Sequence, residues 1–267
     1  MSLFHLILVA IVQGVTEFLP VSSSGHLVLL PALTGMPDQG LAIDVAAHVG
    51  TLGAVVAFFW SDVRLAAGGV PSLLRGRVEG PGAWLALCLA VATVPVVLAG
   101  LAIQVAGVGD MLRSVALIGW MTILFGLVLF WADRRGGSAR RAEHWTLRHA
   151  VIMGVCQTLA LIPGTSRSGI TISGARALGY ERTEAARLSM LMSIPTILAS
   201  AAVLGLDVIG QADAGLARDG AIVAILSFAA AWAALKLMFR FLRFTSFTPY
   251  VIYRMLLGVV LLAYAYS

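Results

Sequence analysis

Two short polar segments interrupt a chain whose other segments are apolar enough to lie in a lipid bilayer. The first, QGVTEFLPVSSSGH, covers residues 13–26, and the second, PGTSRSGIT, covers residues 163–171. Ionisable side chains at membrane depth are costly even on the gentler insertion scales, so they rarely occur there without partners or a task. The two segments therefore predict one shared polar site.

The composition of the chain is that of an integral membrane protein. Of its 267 residues, 60% are hydrophobic and only 12% are charged, with a mean hydropathy of +0.95, whereas soluble proteins carry roughly 25% charged residues. The net charge of +5 is interpreted as a sign of membrane topology, and no nucleic-acid partner is expected. Residues 3–12 lack a preceding basic segment, which is untypical of a cleavable signal peptide, so we expect this run to belong to the mature fold.

Six apolar runs approach the roughly 20 residues that a helix needs to cross the hydrocarbon core of a bilayer. They cover residues 41–60, 83–105, 113–131, 187–206, 220–239 and 249–266. Two further apolar stretches, residues 3–34 and 147–178, are each interrupted by a proline and a cluster of Ser, Thr and Gly. Backbone breaks are tolerated at membrane depth only where protein or a water-filled cavity surrounds them. Each interrupted stretch is therefore predicted to form a re-entrant helical hairpin.

The two predicted hairpins resemble each other, and each is followed by three candidate spans. Since a hairpin returns the chain to its starting side and three crossings reverse it, the halves are predicted to have opposite orientations. The predicted fold class is an all-α membrane protein with an inverted-topology repeat, whose broken helices meet near the midplane. Repeat one covers about 1–131, a basic and flexible cytoplasmic loop about 132–146, and repeat two about 147–267. At an offset of 143 residues the matching pairs are Pro20 and Pro163, Ser22 and Thr165, and Ser23 and Ser166.

Basic residues are concentrated in the loops of one predicted face. Only Arg113 and Arg218 are assigned to the opposite face. By the positive-inside rule the basic face is cytoplasmic, and both termini are predicted to lie outside. The side chains assigned to the basic face are Arg64, Arg75, Arg77, Arg134, Arg135, Arg140, Arg141, Arg148, Arg176, Arg182, Arg187, Lys236, Arg240 and Arg243.

The first polar segment contains the residue types that covalent catalysis requires. Gln13 and Glu17 are four positions apart and would share one face of a helix. After the break at Pro20, a new helix would direct free backbone N–H groups into a cavity, and helix N-termini bind anions. A serine, His26 and Glu17 could serve as nucleophile, base and orienting carboxylate. The candidates that follow the break are Ser22, Ser23, Ser24, Gly25 and His26.

The second polar segment is a candidate anion site. Arg167 keeps its proton, and its planar guanidinium fits two oxygens of a phosphate. Hydroxyls and backbone amides around it would supply neutral donors. The alternative is a buried salt bridge between Arg167 and Glu17 that links the repeats, although such pairs seldom offset their desolvation cost. The surrounding candidates are Gly164, Thr165, Ser166, Ser168 and Thr171.

Other polar residues are predicted to lie outside the site. Asp44 and His48, four positions apart, are interpreted as a helix-end charge and a hydrogen-bonded histidine. Arg254 is expected to reach toward the interface or to pair with an acidic lipid headgroup. Cys88 and Cys156 lie in apolar runs, where free thiols behave as small hydrophobic groups, so neither a disulfide nor a metal site is expected from them.

These motifs resemble the undecaprenyl-diphosphate phosphatase, or bacitracin-resistance, family. QGVTEFLPVSSSGH is similar to that family's acidic region and the Ser/His segment after it, and PGTSRSGIT is similar to its Pro-Gly-x-Ser-Arg-Ser motif. DVAAHVGTL at residues 44–52 and the repeat layout extend the resemblance along the whole chain. Members of the family remove the terminal phosphate of undecaprenyl diphosphate and so regenerate the carrier lipid for peptidoglycan synthesis. Their overexpression is associated with bacitracin resistance.

The resemblance implies roles for individual residues. Glu17, Ser23, His26 and Arg167 match the family's essential positions, with the neighbouring hydroxyls around the diphosphate. Either Ser23, activated by Glu17 and His26, or His26 itself would be the nucleophile. The resemblance also implies a divalent cation, Mg²⁺ or Ca²⁺, with Glu17 as its candidate ligand, although Gln13 stands where many relatives have Glu.

The sequence thus predicts a phosphatase of the bacterial inner membrane. Its substrate would be undecaprenyl diphosphate in the bilayer, with the tail in a lipid-facing groove and the site open toward the periplasm. A flippase or transporter of undecaprenyl phosphate is the alternative, because inverted repeats with midplane sites are common among transporters. The combination of nucleophile, base and guanidinium favours catalysis. The choice between a monomer and a homodimer is left open.

Overall fold

The computed structural model of the chain describes residues 1–107, 112, 114–209 and 214–267, apart from the side chains of residues 32, 33 and 204–209. Within these ranges the chain forms α-helices joined by short turns, and no β-strand. The helices are α1 Leu3–Thr16, α2 Ser23–Thr34, α3 Leu41–Phe58, α4 Trp60–Leu74, α5 Gly80–Ala106, α6 Val115–Arg135, α7 Leu147–Thr158, α8 Arg167–Ala177, α9 Arg182–Ile209, α10 Ala214–Leu242 and α11 Thr248–Tyr266.

Six of these helices, α3, α5, α6, α9, α10 and α11, are long and apolar enough to cross a membrane. They coincide with the six predicted runs, which confirms a multi-pass all-α membrane protein. The apolar length needed to span hydrocarbon is a strong sequence signal, and this explains the agreement. Arg113, one of the two charges assigned to the face opposite the basic loops, lies outside the described residues.

The two interrupted stretches form helical hairpins. α1 contacts α2 across the break at residues 17–22, and α7 contacts α8 across the break at residues 159–166. A short 3₁₀ turn, Leu159–Leu161, follows α7. The predicted hairpins are therefore present, and their re-entrant position in a bilayer stays a prediction.

The two halves pack together through matching pairs of helices. α1 packs on α10 as α7 packs on α5, and α3 packs on α10 as α9 packs on α5. α6 meets α11, and α3 meets α9. Exchange of the two halves reproduces this set of contacts, which supports a repeat. The opposite orientation of the halves stays a prediction.

The turns of the two hairpins share an unusual backbone geometry. Ser22 and Ser166 have φ angles of 75° and 68°, and no other non-glycine residue in the described ranges has a positive φ. Each is the N-cap of the second helix of its hairpin. The predicted pairings of Ser22 with Thr165 and of Ser23 with Ser166 are therefore both wrong by one position, because the second turn has one more residue after its proline. Ser23 and Arg167 are the equivalent first residues of α2 and α8.

α4 is a helix that the apolar pattern does not predict. It has 15 residues, too few to span a bilayer, and Pro71 lies within it. It packs against α5. Asp62 near its start is buried and accepts a hydrogen bond from Nε of Arg187 at 3.2 Å. This ion pair fastens α4 to α9.

The beginning of the basic loop after α6 is bound by buried charged side chains. Asp133, buried at the end of α6, accepts hydrogen bonds from Nε of Arg176 at 2.9 Å and Nε of Arg182 at 2.8 Å. Arg176 is 1% exposed and donates to the carbonyls of Gly136 and Gly137 at 3.0 and 2.7 Å. A buried guanidinium thus binds the backbone near the start of residues 132–146, and the flexibility of this loop stays a prediction.

Arg254 in α11 is 0% exposed, so the expectation that it reaches a lipid headgroup is wrong. Its Nη1 donates to the carbonyls of Thr165 and Pro20 at 3.0 and 3.4 Å, and its Nη2 donates to that of Gly164 at 2.9 Å. Its Nε donates to the carbonyl of Thr122 in α6 at 3.0 Å. Turn carbonyls lack helical partners, and those that are buried must be satisfied inside the protein. Arg254 therefore joins both hairpin turns to α6.

Replacement of Arg254 by Met should destabilise the whole protein. Each buried carbonyl that loses its donor costs about 1–3 kcal/mol, so the loss of several should lower stability by at least ~3 kcal/mol. The measurement is the thermal unfolding midpoint of purified protein in detergent. The matched control is Arg218→Met, because the Arg218 side chain is 75% exposed. Equal midpoints for Arg254→Met and the wild type would contradict the assigned role.

Candidate functional site

A cavity of about 460 Å³ lies between the turns of the two hairpins, with α3, α5, α7 and α9 forming the rest of its wall. Residues of both predicted polar segments line it, so the structure places the two segments at one site. The polar residues that line the cavity are Glu17, Ser22, Ser23, Ser24, Asp44, His48, Gln157, Ser166, Arg167, Thr196 and Ser200; Gly164 contributes backbone.

The carboxylate of Glu17 is the centre of the polar contacts. Its Oε1 accepts a hydrogen bond from Nη2 of Arg167 at 2.9 Å. Its Oε2 accepts from Nε2 of Gln13 at 2.9 Å and from Oγ of Ser23 at 3.4 Å. The Glu17 and Arg167 side chains are only 8% and 13% exposed. The salt bridge considered as an alternative is thus present, and it faces a cavity.

The guanidinium of Arg167 has a donor to spare. Its Nη2 binds Glu17, whereas its Nη1 is buried and has no hydrogen-bond partner among the described residues. The ring of Phe18 lies beneath it, with 5.9 Å between Cζ and the ring centroid. A buried charged donor without a partner is costly. The group is therefore suited to an anionic ligand.

The serines of the two turns connect the hairpins. The amide of Gly164 donates to Oγ of Ser24 at 3.1 Å. The hydroxyls of Ser22 and Ser24 lie 3.0 Å apart, and those of Ser166 and Ser168 lie 3.2 Å apart. Gly164 has a φ of +93°, and a Cβ there would lie 2.4 Å from a backbone oxygen of α6. Only glycine allows this approach of the second turn to α6.

Five predicted binding residues do not line the cavity. Ser168 donates to a carbonyl of the first turn at 3.0 Å. The Thr171 hydroxyl donates to the backbone carbonyl one helical turn earlier at 2.8 Å and lies 2.6 Å from a serine hydroxyl of α9. Ser168 and Thr171 support the wall of the site, because backbone carbonyls and a neighbouring hydroxyl occupy their hydroxyl groups. The five residues are Gln13, Gly25, Thr165, Ser168 and Thr171, all buried.

His26 also lies outside the cavity wall. Its Nδ1 donates to the carbonyl of Ser22 at 2.7 Å, and its Nε2 lies 2.6 Å from Oη of Tyr253 in α11. The two rings are stacked, with 5.5 Å between their centroids. Within the ranges that the structure describes, no hydrogen bond joins His26 to Ser23 or Glu17. The contact expected of a base for Ser23 is therefore not present.

His48 is the histidine that meets Glu17. Its Nε2 lies 3.7 Å from Oε2 of Glu17 and 3.1 Å from Nε2 of Gln13. The sequence interpretation assigned His48, together with Asp44, to a helix end outside the site. Both line the cavity instead. The available signal was the segment DVAAHVGTL, which carries two polar side chains one helical turn apart in an apolar run.

Glu17 is the candidate ligand for the divalent cation that the resemblance implies. No three His, Cys, Asp or Glu side chains in the described part of the chain lie close enough together to hold a metal ion. Both carboxylate oxygens of Glu17 already accept hydrogen bonds, one of them from Arg167. Mg²⁺ and Ca²⁺ require several oxygen ligands. The cation that the resemblance implies stays a prediction, and no step below depends on it.

The fold and the site define a polytopic α-helical membrane protein with a polar cavity, in which serine-rich helix N-termini and an arginine are available to an anion. A family model described as "Bacitracin resistance protein BacA" matches residues 6–260. The chain belongs to this family.

Similar proteins cover the full length of the chain. It is 67% identical to the undecaprenyl-diphosphatase of Roseobacter denitrificans, with 100% of both chains covered. It is 64% identical to the undecaprenyl-diphosphatases of Dinoroseobacter shibae and Ruegeria pomeroyi, again with 100% of each chain covered.

The Glu17–Arg167 pair should behave as a coupled unit in stability measurements. Glu17→Leu leaves a buried guanidinium without its partner and should cost about 3–5 kcal/mol, whereas Glu17→Leu/Arg167→Met should recover most of that loss. The measurement is a double-mutant cycle on the unfolding midpoint in detergent. A double variant whose loss equals the sum of the two single losses would contradict the coupling.

Proposed function

We propose that this protein hydrolyses undecaprenyl diphosphate to undecaprenyl phosphate and inorganic phosphate. Membership of the bacitracin resistance family supports the proposal, as do the names of relatives that are 64–67% identical. The product is the carrier lipid that wall synthesis reuses. Removal of the diphosphate form accounts for bacitracin resistance, because that form is the antibiotic's target.

The observation that carries the proposal is the buried Nη1 of Arg167, which has no hydrogen-bond partner in the described part of the chain and lies beside the Glu17–Ser23 contact. Phosphate oxygens satisfy such a guanidinium. The N-cap residues of α2 and α8, Ser22 and Ser166, lie on the wall of the same cavity. The free amides of these helix N-termini add further donors for an anion. A diphosphate would thus meet the arginine, two helix N-termini and a serine at once.

The chemistry follows from these positions. Oγ of Ser23 attacks the terminal phosphorus, and its proton passes to Oε2 of Glu17, which lies 3.4 Å away. The anhydride P–O bond breaks, and undecaprenyl phosphate leaves with the electron pair. Arg167 and the helix amides stabilise the charge on the transferring phosphoryl group. Water then attacks phosphoserine, Ser23 recovers the proton from Glu17, and inorganic phosphate is released.

The geometry supports Ser23 rather than His26 as the nucleophile. Both ring nitrogens of His26 face protein groups, the Ser22 carbonyl and the Tyr253 hydroxyl. Ser23 lines the cavity and contacts a carboxylate that can take its proton. We assign His26 the role of holding the first turn.

A second cavity, of about 240 Å³, adjoins the polar one and suits the prenyl tail. Val96, Leu161, Thr196 and Ser200 line both cavities, so the two adjoin each other between α5 and α9. The second cavity is lined mainly by apolar side chains. We propose that the first prenyl units lie there, because burial of hydrocarbon in such a groove is favourable.

The positions of charges along α9 support an opening toward the periplasm of the inner membrane. α9 begins at the basic residues Arg182 and Arg187 and reaches the cavity only at Thr196 and Ser200. α3 begins at the cavity and leads to Arg64 in α4. The cavity is therefore at the end away from the basic residues. By the positive-inside rule that end faces the periplasm, with both termini outside.

Arg167→Ala should lower the turnover number for phosphate release by at least ~10²-fold, because a transition-state charge partner is lost. The measurement is phosphate release from undecaprenyl diphosphate by purified protein in detergent. The matched control is Arg148→Ala, an exposed arginine of α7 outside the cavity, which should retain wild-type turnover.

Near-normal turnover of Arg167→Ala would contradict the role of Arg167. A wild-type protein that binds the lipid diphosphate without releasing phosphate would contradict the proposed function and favour the flippase alternative.

Gly100→Phe should obstruct the proposed tail groove. A Cβ at Gly100 meets only a side-chain atom of Leu161 at 3.8 Å, so the ring has room to enter the groove without disturbing the backbone. KM for undecaprenyl diphosphate should rise at least ~10-fold with little change in kcat, as expected when uniform binding is lost. The control is Val94→Phe, a 53% exposed position on the same helix. Equal KM values for the two variants would contradict this tail path.

A further inference from the structure

A chain of contacts from α3 reaches the carboxylate oxygen of Glu17 that faces Ser23. Nε2 of Gln13 donates to this oxygen, Oε2, at 2.9 Å and lies 3.1 Å from Nε2 of His48. Nδ1 of His48 lies 2.8 Å from the backbone carbonyl of Asp44. The His48 side chain is 39% exposed and lines the cavity.

The chemistry of each atom fixes the direction of these hydrogen bonds. A backbone carbonyl only accepts, so Nδ1 of His48 donates to Asp44 and carries the ring proton. In the neutral imidazole Nε2 is then an acceptor. The amide nitrogen of Gln13 has two hydrogens, and it can give one to His48 and the other to Glu17. The tautomer of His48 thus decides which end of the Gln13 amide faces the carboxylate.

The amide oxygen of Gln13 indicates that neighbouring side chains impose the orientation of the Gln13 amide group. That oxygen is buried and has no hydrogen-bond partner among the described residues. Rotation of the amide would bring the oxygen against the carboxylate of Glu17 and leave Nε2 of His48 without its donor. An unpaired buried acceptor is costly, so a stronger demand must keep the nitrogen in place. That demand comes from Glu17 and His48 together.

We propose that His48 is a positioning residue for the phosphatase reaction, which acts through Gln13 to fix the carboxylate of Glu17 toward Ser23. The inference rests on the proposed function, because the positioned oxygen is the one that takes the serine proton. The separation of 3.7 Å between His48 and Glu17 is too long for a direct hydrogen bond, so the path runs through the amide. His26 is closer to Ser23 in sequence, but its ring nitrogens contact the Ser22 carbonyl and the Tyr253 hydroxyl instead.

A matched pair of variants tests the role of His48. His48→Met and His48→Gln have side chains of similar length, but only Gln offers an oxygen that can accept from Gln13. His48→Met should lower kcat at least ~10-fold because a misplaced reacting group slows the reaction steeply. Its KM should stay within about twofold of wild type, since ground-state binding is unchanged. His48→Gln should retain most of the wild-type kcat.

A further variant, Gln13→Met, interrupts the same path at its other end. Its result does not depend on whether a His48 variant folds. It should lower kcat by a similar factor. The double variant Gln13→Met/His48→Met should be no slower than the slower single variant, because one path can be broken only once. All variants are compared with wild type by size-exclusion profile and unfolding midpoint.

The outcomes separate this inference from the proposed function. A wild-type protein that releases no phosphate overturns both. If the wild type is active, the proposed function stands and only the role of His48 is in question. That role is overturned if Gln13→Met, or a His48→Met protein that folds, keeps its kcat within about twofold of wild type. Multiplicative kcat losses in the double variant, or a raised KM with unchanged kcat in His48→Met, also overturn it, since they indicate an independent contact with substrate.

Discussion

The carboxylate of Glu17 accepts hydrogen bonds from both halves of the chain, and the site depends on this convergence. Ser23 and Arg167 occupy equivalent first positions of α2 and α8, and each contacts one oxygen of the carboxylate. In the proposed reaction the first half supplies the nucleophile, Ser23, and the second half supplies the guanidinium of Arg167. The buried carboxylate of Glu17 then sets the distance between these two groups. The preorganisation of both groups is the main source of catalytic power in such a site.

Two broken helices can meet inside an apolar bundle only if their free backbone groups find partners. Arg254 supplies donors for the carbonyls of Pro20, Gly164 and Thr165, and so replaces the hydrogen bonds that the turns give up. The positive φ angles of Ser22 and its counterpart at position 166 are a further local cost, of a kind that clusters at functional sites. The surrounding helices hold this strained arrangement in place. The contacts that stabilise the fold at the two turns therefore also hold the site in place.

The sequence predicts the spans and hairpins well because apolar length and Pro/Gly breaks are local signals. The sequence does not predict α4, since a short helix with charges and a proline resembles a loop. Arg254 is misjudged because a lone arginine near a helix end usually reaches the interface, and only tertiary structure brings turn carbonyls to it. Proximity in sequence to Ser23 favours His26 over His48, whereas the packing of α3 beside α1 brings His48 to Glu17.

Identification of the phosphorylated side chain tests the central claim most directly. Protein that is turning over undecaprenyl diphosphate would be quenched rapidly, digested and analysed by mass spectrometry under conditions that preserve both phosphoserine and phosphohistidine. The account predicts phosphate on Ser23, with no trapped species in Ser23→Ala. Phosphate on His26, or full turnover by Ser23→Ala, would contradict it.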